Sequence, residues 1–188
     1  MKYAYQNELT KNNCFEGIIK FKNQPQKRKI LSIEQAEAVF SINWDNDTAK
    51  LANALAMYTG MRAGEIAGLR YEDIGAERLY VKHSWSKYDG LKCCKNGDER
   101  EVPIAPILRD ALINQVKLNP HNEGLASFVF FGEKPERPTD PGSWRKYLHR
   151  ALGEIGYSNP KEICFHSWRH FWCTRMSDIV TDKRIIML

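Results

Sequence analysis

Four residues of this chain, Arg62, Lys95, His166 and Arg169, are of types that handle phosphate groups, and each falls at a helix start or a turn. Arg62 follows Thr59-Gly60, which ends one helical stretch just before another begins. A helix start is electropositive and presents free N–H groups, so an arginine there does nothing for its own helix and is placed for an external anion. In Cys164-Phe165-His166-Ser167-Trp168-Arg169-His170-Phe171-Trp172-Cys173, a helix starting near His166 puts His166, Arg169, His170 and Cys173 on one face, with Trp168, Phe171 and Trp172 covering the opposite one. A phosphodiester under attack gathers charge on its non-bridging oxygens, which guanidinium forks match in two places at once. A histidine can manage the nucleophile's proton, and a lysine at a hairpin turn can protonate a leaving alkoxide. The chain has no Walker A loop, no HExxH and no paired CxxC, so nucleotide hydrolysis and zinc proteolysis have no foothold.

The elements that must position these groups follow from periodicity. Ser32-Ile33-Glu34-Gln35 forms a capping box ahead of a helix with Ala36, Val39 and Phe40 inward. Asp45 to Thr48 supplies caps for a second helix, on which Leu51, Leu55 and Tyr58 share a face, and Ala63 to Leu69 reads as a third with Ile66 and Leu69 inward. After Asp73 the period becomes two, with Leu79 and Val81 pointing one way and Tyr80 and Lys82 the other. Leu91 to Lys95 meets Asn96-Gly97, a pair suited to a tight hairpin, and Glu101 to Ile104 returns as its partner with Lys95 beside the turn. Pro106 opens a helix with Leu108, Ala111, Leu112 and Val116 inward, Phe128 to Phe131 is a short strand or buried loop, and Pro141 opens a helix through Trp144, Leu148, Ala151, Leu152 and Ile155 that Gly156 closes. The class is α+β, mainly helical with a small antiparallel sheet.

The 188 residues, 43% of them hydrophobic, suffice for one core, and a net charge of +5 suits a polyanion partner without demanding one. Five cysteines without framework spacing point to a reduced, cytoplasmic protein, and the first 25 residues hold no apolar run for a signal peptide or membrane span. Residues 1–29 read as an arm or linker remnant, and 30–188 as one domain.

Three boxes in this order resemble the tyrosine recombinase (phage integrase) family. Tyr58-Thr59-Gly60-Met61-Arg62-Ala63-Gly64-Glu65-Ile66-Ala67-Gly68-Leu69 is similar to its first-arginine box, Lys95-Asn96-Gly97-Asp98-Glu99-Arg100-Glu101-Val102-Pro103-Ile104 to its lysine hairpin and return strand, and His166-Ser167-Trp168-Arg169-His170 to its HxxRH box. The resemblance implies that 30–188 is an integrase-type catalytic domain, incomplete at the C-terminus. It implies the integrase catalytic fold acting on double-stranded DNA in site-specific recombination or integration, with self-association on DNA in the full-length protein and no cofactor, metal or membrane. By position, Arg62 and Arg169 clamp the scissile phosphate, Lys95 is the general acid for the leaving 5′ oxygen, His166 assists proton transfer, and Glu65 holds the first box together from behind. Lys92 is the rival to Lys95, because hairpin register is not fixed by sequence; both lysines count among the DNA-binding expectations. His170 is expected to be buried and structural.

The family continues to a further His or Trp and then to a nucleophilic tyrosine, whereas the last tyrosine here is Tyr157. The expectation is a chain without its nucleophile or its upstream DNA-clamping domain, inactive alone, with Ile185 to Leu188 ending mid-element beside an exposed apolar surface. Two other readings compete: a helix-turn-helix regulator built on Leu51 to Leu69, and a zinc site from Cys164, His166, His170 and Cys173.

Overall fold

The computed structural model describes residues 5–7, 29–93, 99–121 and 123–180. Among the described residues, six α-helices and four short strands follow in the order α1 (Ile33–Ser41), α2 (Asp47–Thr59), α3 (Ala63–Ala67), β1 (Arg78–Val81), β2 (His83–Ser86), β3 (Gly90–Cys93), β4 (Arg100–Pro103), α4 (Pro106–Lys117), α5 (Pro141–Glu154) and α6 (His166–Ile179). This is the mainly helical α+β architecture that the periodicities imply.

Local chemistry sets the element ends. Ser32 and Gln35 exchange reciprocal side-chain bonds at the start of α1, at 3.2 and 3.0 Å. Asn46 Oδ1 accepts from the Ala49 N–H at 2.7 Å to open α2, and Gly60 closes it at φ +66°, a left-handed conformation that L side chains rarely adopt. The buried face of α2 differs from the expected one. Ala49, Ala52, Asn53, Leu55 and Ala56 face the core, whereas Tyr58 is 62% exposed. Small side chains let α5 and α6 approach closely, and the sequence pattern, weighted by large residues, pointed the stripe about one residue away.

Asn53 is fully buried and spends its polar atoms on three elements. Its amide donates to the Ala49 carbonyl at 2.8 Å and to the Trp144 carbonyl on α5 at 3.3 Å, while its oxygen accepts from Trp168 Nε1 on α6 at 2.8 Å. Aromatic rings extend the same junction: Phe40 lies against Trp44 and Trp168, and Trp144 against Phe130 and Phe165. A core centred on α2, α5 and α6 thus sets where α6, with Arg169, stands relative to Gly60.

The strands correct the expected pairing. β4 pairs antiparallel with β1, Val81 opposite Arg100 and Leu79 opposite Val102, and β3 pairs with β2, a strand the sequence reading did not foresee. The described turn of the ribbon is therefore at Lys87 to Asp89, between β2 and β3, and β4 is not the partner of β3. Val81 and His83 are separated by Lys82 alone, whereas Cys93 and Arg100, their partners, are separated by residues 94–99. Lys95 and Asn96-Gly97 belong to this long connection and lie outside the described residues, as do Ile185 to Leu188 and nearly all of 1–29.

The short helix α3 sits directly on β2 because it carries glycines where the strand passes. A Cβ on Gly64 would stand 2.6 Å from Ser84 Oγ and 2.9 Å from the Trp85 carbonyl oxygen, and one on Gly68 would stand 3.2–3.3 Å from the His83 backbone. With Ile66 and Leu69 buried on its other side, α3 is wedged between core and ribbon.

Candidate functional site

Arg62 is the N-cap of α3, so its backbone N–H has no partner within the helix. Glu65, one turn on, supplies it: Glu65 Oε2 accepts from the Arg62 N–H at 2.8 Å, and Oε1 accepts from Arg62 Nη1 at 2.8 Å. Arg100 approaches the same carboxylate as a fork, Nη1 to Oε1 at 3.0 Å and Nη2 to Oε2 at 2.6 Å. Glu65 therefore accepts four bonds with its side chain only 4% exposed. Burial by itself would push its carboxyl pKa up. The Arg100 hydrogen bonds, the Arg62 N–H, the Arg100 charge and the Arg62 side chain together outweigh burial and hold it below the ordinary carboxylate value. Arg62, by contrast, keeps 55% of its side chain exposed.

Arg169 reaches the same place from the far end of the chain. It lies in the first turn of α6, and its Nη1 donates to the Gly60 carbonyl at 2.8 Å. Trp172, one turn later, presses its indole on Gly60, where a Cβ would stand 2.7 Å from the ring. Trp172 thus belongs with Arg169 rather than with the hydrophobic back of α6, where Trp168 is the residue in the core. Burial first, then the neighbouring Arg62 charge, pulls the Arg169 guanidinium below its ordinary value, while Cys173 and Glu65 act the other way. Arg62, Arg100 and Glu65 are all electrostatic neighbours of Arg169. Three guanidiniums and one carboxylate make a local charge of +2, with Arg62 open to solvent, a surplus that favours an anion.

The other expected residues divide. His166 opens α6 one turn before Arg169, half-buried, with its ring edge-on to His170 at 4.8 Å between centroids. His170 is exposed, not buried as expected: Phe165 and Trp168 fill the core side of α6, and position 170 rotates outward. Lys92 lies on β3 and pairs with Asp89 at 2.7 Å, 60% exposed. The zinc reading is not assembled: among the described residues no group of three or more His, Cys, Asp or Glu side chains could hold a metal ion, and Cys164 Sγ faces Ser167 Oγ at 3.6 Å.

Arg100 was missed by the sequence reading, although a signal existed. Val102 is buried on β4, so Arg100, two residues earlier, shares its inward face. An arginine on the inner face of a strand requires a carboxylate partner.

A second basic cluster lies on α5 and the turn before α6, where Arg145, Lys146, His149 and Lys161 line an open cleft with Gly142. No described helix is long and apolar enough to cross a membrane.

Comparison with known proteins points in one direction. Residues 28–187 match the profile of the Phage integrase family. Tyrosine recombinase XerC of Rhodospirillum centenum (strain ATCC 51521 / SW) is 28% identical over 157 residues, 83% of this chain and 42% of the relative. Prophage integrase IntR of Escherichia coli (strain K12) is 27% identical over 127 residues, 65% of this chain and 30% of the relative. The chain thus spans less than half the length of these curated relatives. Among solved structures, the Tn1549 transposon integrase in complex with a circular intermediate DNA superposes with a TM-score of 0.77 at 18% identity, covering 99% of this chain and 65% of that one. The lambda integrase catalytic core superposes with a TM-score of 0.59 at 18% identity, covering 85% and 91%. At such identities the structural likeness speaks for the fold, which is the integrase catalytic fold.

Proposed function

The chain belongs to the phage integrase family, and on that premise we propose that it carries the phosphate-binding part of a tyrosine recombinase, acting on double-stranded DNA in the cytoplasm in site-specific recombination. The observation that carries this reading is the meeting of Arg62 and Arg169, 107 positions apart in sequence, around Gly60 and Glu65. Residues far apart in sequence are brought to one basic pocket.

In this proposal the exposed edge of Arg62 and the remaining N–H groups of Arg169 take the non-bridging oxygens of the scissile phosphate and stabilise the charge that grows there during attack. The oxygen of a tyrosine that these 188 residues do not supply forms the new bond to phosphorus, the P–O5′ bond breaks, and the leaving 5′ oxygen takes a proton from Lys95. His166, at the start of α6, helps the tyrosine lose its phenolic proton. Lys95 lies five positions before the anchored Arg100, a stretch that spans at most about 18 Å even when fully extended. The basic cleft around Arg145 and Lys161 offers further phosphate contacts. Self-association on DNA is part of this proposal.

No tyrosine follows His166 in these 188 residues. The proposal therefore expects this chain alone to bind duplex DNA in a salt-sensitive manner and to form no covalent adduct. A nicked suicide duplex incubated with the chain and run on a denaturing gel tests both halves. No protein–DNA band is expected, while a gel-shift assay at low salt shows a complex that R62A and R169A weaken. A covalent band, or binding that neither substitution changes, would refute the assignment.

A further inference from the structure

We propose that Arg100 is a positioning residue of this pocket: by occupying the Glu65 carboxylate with its own fork, it leaves the charge and the outer edge of Arg62 available to a DNA phosphate. The inference rests on the reading of the pocket as a phosphate site and assigns Arg100 a part in it.

The argument is one of charge and geometry. Arg62 and Glu65 alone would form a neutral pair, and a carboxylate one turn from an N-cap arginine is well placed to take both of its Nη groups. In the structure Arg62 gives Glu65 one Nη bond and one backbone bond, while the two acceptor positions left on the carboxylate are filled by Arg100. The trio then carries +1 in place of 0, and Arg62 retains Nε and Nη2 for another acceptor. Arg100 cannot itself serve as a second clamp, because its fork is spent and its side chain is 19% exposed. Its backbone matters as well. Arg100 opens β4 opposite Val81, so the ion pair ties the end of the 94–99 connection to α3. One side chain thereby fixes the Glu65 carboxylate that holds Arg62.

A merely structural staple between β4 and α3 would make a different prediction, and the test separates the two. Binding of a fluorescein-labelled duplex of about 30 base pairs is measured by anisotropy at low salt for the 188-residue chain and for R100Q, E65Q and R100Q/E65Q, choosing a length that exceeds a typical interface. R100Q is expected to weaken binding about tenfold, since Glu65 then neutralises Arg62. The double variant, with no carboxylate to neutralise Arg62, is expected to recover most of that loss. A structural staple predicts that the double variant binds no better than R100Q, and that result overturns the proposal. A second readout needs no DNA. The ¹³C-carboxyl resonance of Glu65, identified by its loss in E65Q, is titrated in the native chain and in R100Q, with Arg62, Arg100 and Arg169 the charged groups that face it. The midpoint is expected to rise in R100Q, and an unmoved midpoint overturns the proposal even where duplex binding is seen. If the native chain binds no duplex, the phosphate reading of the site fails, while the titration still decides whether Arg100 governs the carboxylate. Should R100Q not fold, R100K keeps the charge without the fork, and a Glu65 midpoint identical to the native one in that variant would likewise overturn the proposal.

Discussion

Two carboxylates beside the β-ribbon, Glu65 and Asp89, each pair with basic side chains, and the molecule treats them in opposite ways. Glu65 is 4% exposed and accepts four bonds from two arginines held by separate elements. Asp89 is 55% exposed and pairs with Lys92 three residues on in the same turn, assisted by the Ser86 hydroxyl. A buried carboxylate requires its partners to be in place before the fold is sound, whereas an exposed one exchanges them for water at little cost. The arginine pocket is therefore built rigid, and the ribbon tip is solvated.

The largest effect that would break this comparison is at Glu65. Glu65→Ala leaves two guanidiniums without their shared partner and is expected to destabilise the domain by about 3–5 kcal/mol, the usual scale for stranding a buried charge. Chemical denaturation measures it directly, and a loss no greater than that of Asp89→Ala would show that the two carboxylates are equivalent after all. Next comes Asn53→Ala, which strands Trp168 Nε1 and loosens α6, at an expected cost of about 2–3 kcal/mol. Because α6 carries Arg169, duplex binding should weaken in step with stability; stability lost without any change in binding would mean that the pocket does not depend on the core junction.

Gly60→Ala should be smaller. It introduces a Cβ at positive φ and 2.7 Å from the Trp172 ring, worth about 1–2 kcal/mol for the backbone alone, or roughly 2–8 °C in melting temperature. The pH profile sharpens the contrast further. The folded Glu65 carboxyl lies below its ordinary value, so the stability it contributes is present above the unfolded glutamate pKa of about 4.3 and is lost as pH falls through the folded value. Native protein should thus lose stability on acidification in that window more steeply than Glu65→Gln, as thermal melts between about pH 3 and 6 would show. Smallest of all, Asp89→Asn and Lys92→Gln should leave melting within experimental scatter. A clear loss there would mean that the ribbon tip is ordered by more than its ion pair.

What was legible in the sequence is what local chemistry decides. The Ser32 box, the stop at Gly60 and the helix starts at Pro106, Pro141 and His166 could be read from turn residues and caps, whereas the meeting of Arg62 with Arg169 was implied only by the family resemblance. What escaped depends on partners far away. Asn53 looks like an ordinary polar helix residue until α5 and α6 surround it. Strand alternation says which side chains face inward but not which strand lies alongside, so β3 was matched to β4 in place of β2. His170 was expected to be buried although its helical spacing set it opposite Trp168, and in the fold it faces water. Arg100 stood just before the expected strand at Glu101 to Ile104, and its partner Glu65, 35 residues earlier, is visible only in the fold.

The bond from Arg169 to the Gly60 carbonyl closes a loop of 109 residues, which has a consequence for the birth of the protein. Closing a long loop costs entropy that local helices do not, and the donor does not exist until most of the chain has been synthesised. At roughly 5–20 residues per second, Arg169 is added about 5–22 s after Gly60. Throughout that interval a nascent chain holds Arg62 and Glu65 on α3 with no α6 above them. The pocket between α3 and α6 is thus completed only after α6 has been made, and stalling the ribosome before α6 emerges should yield a chain whose early helices are formed and whose pocket is not.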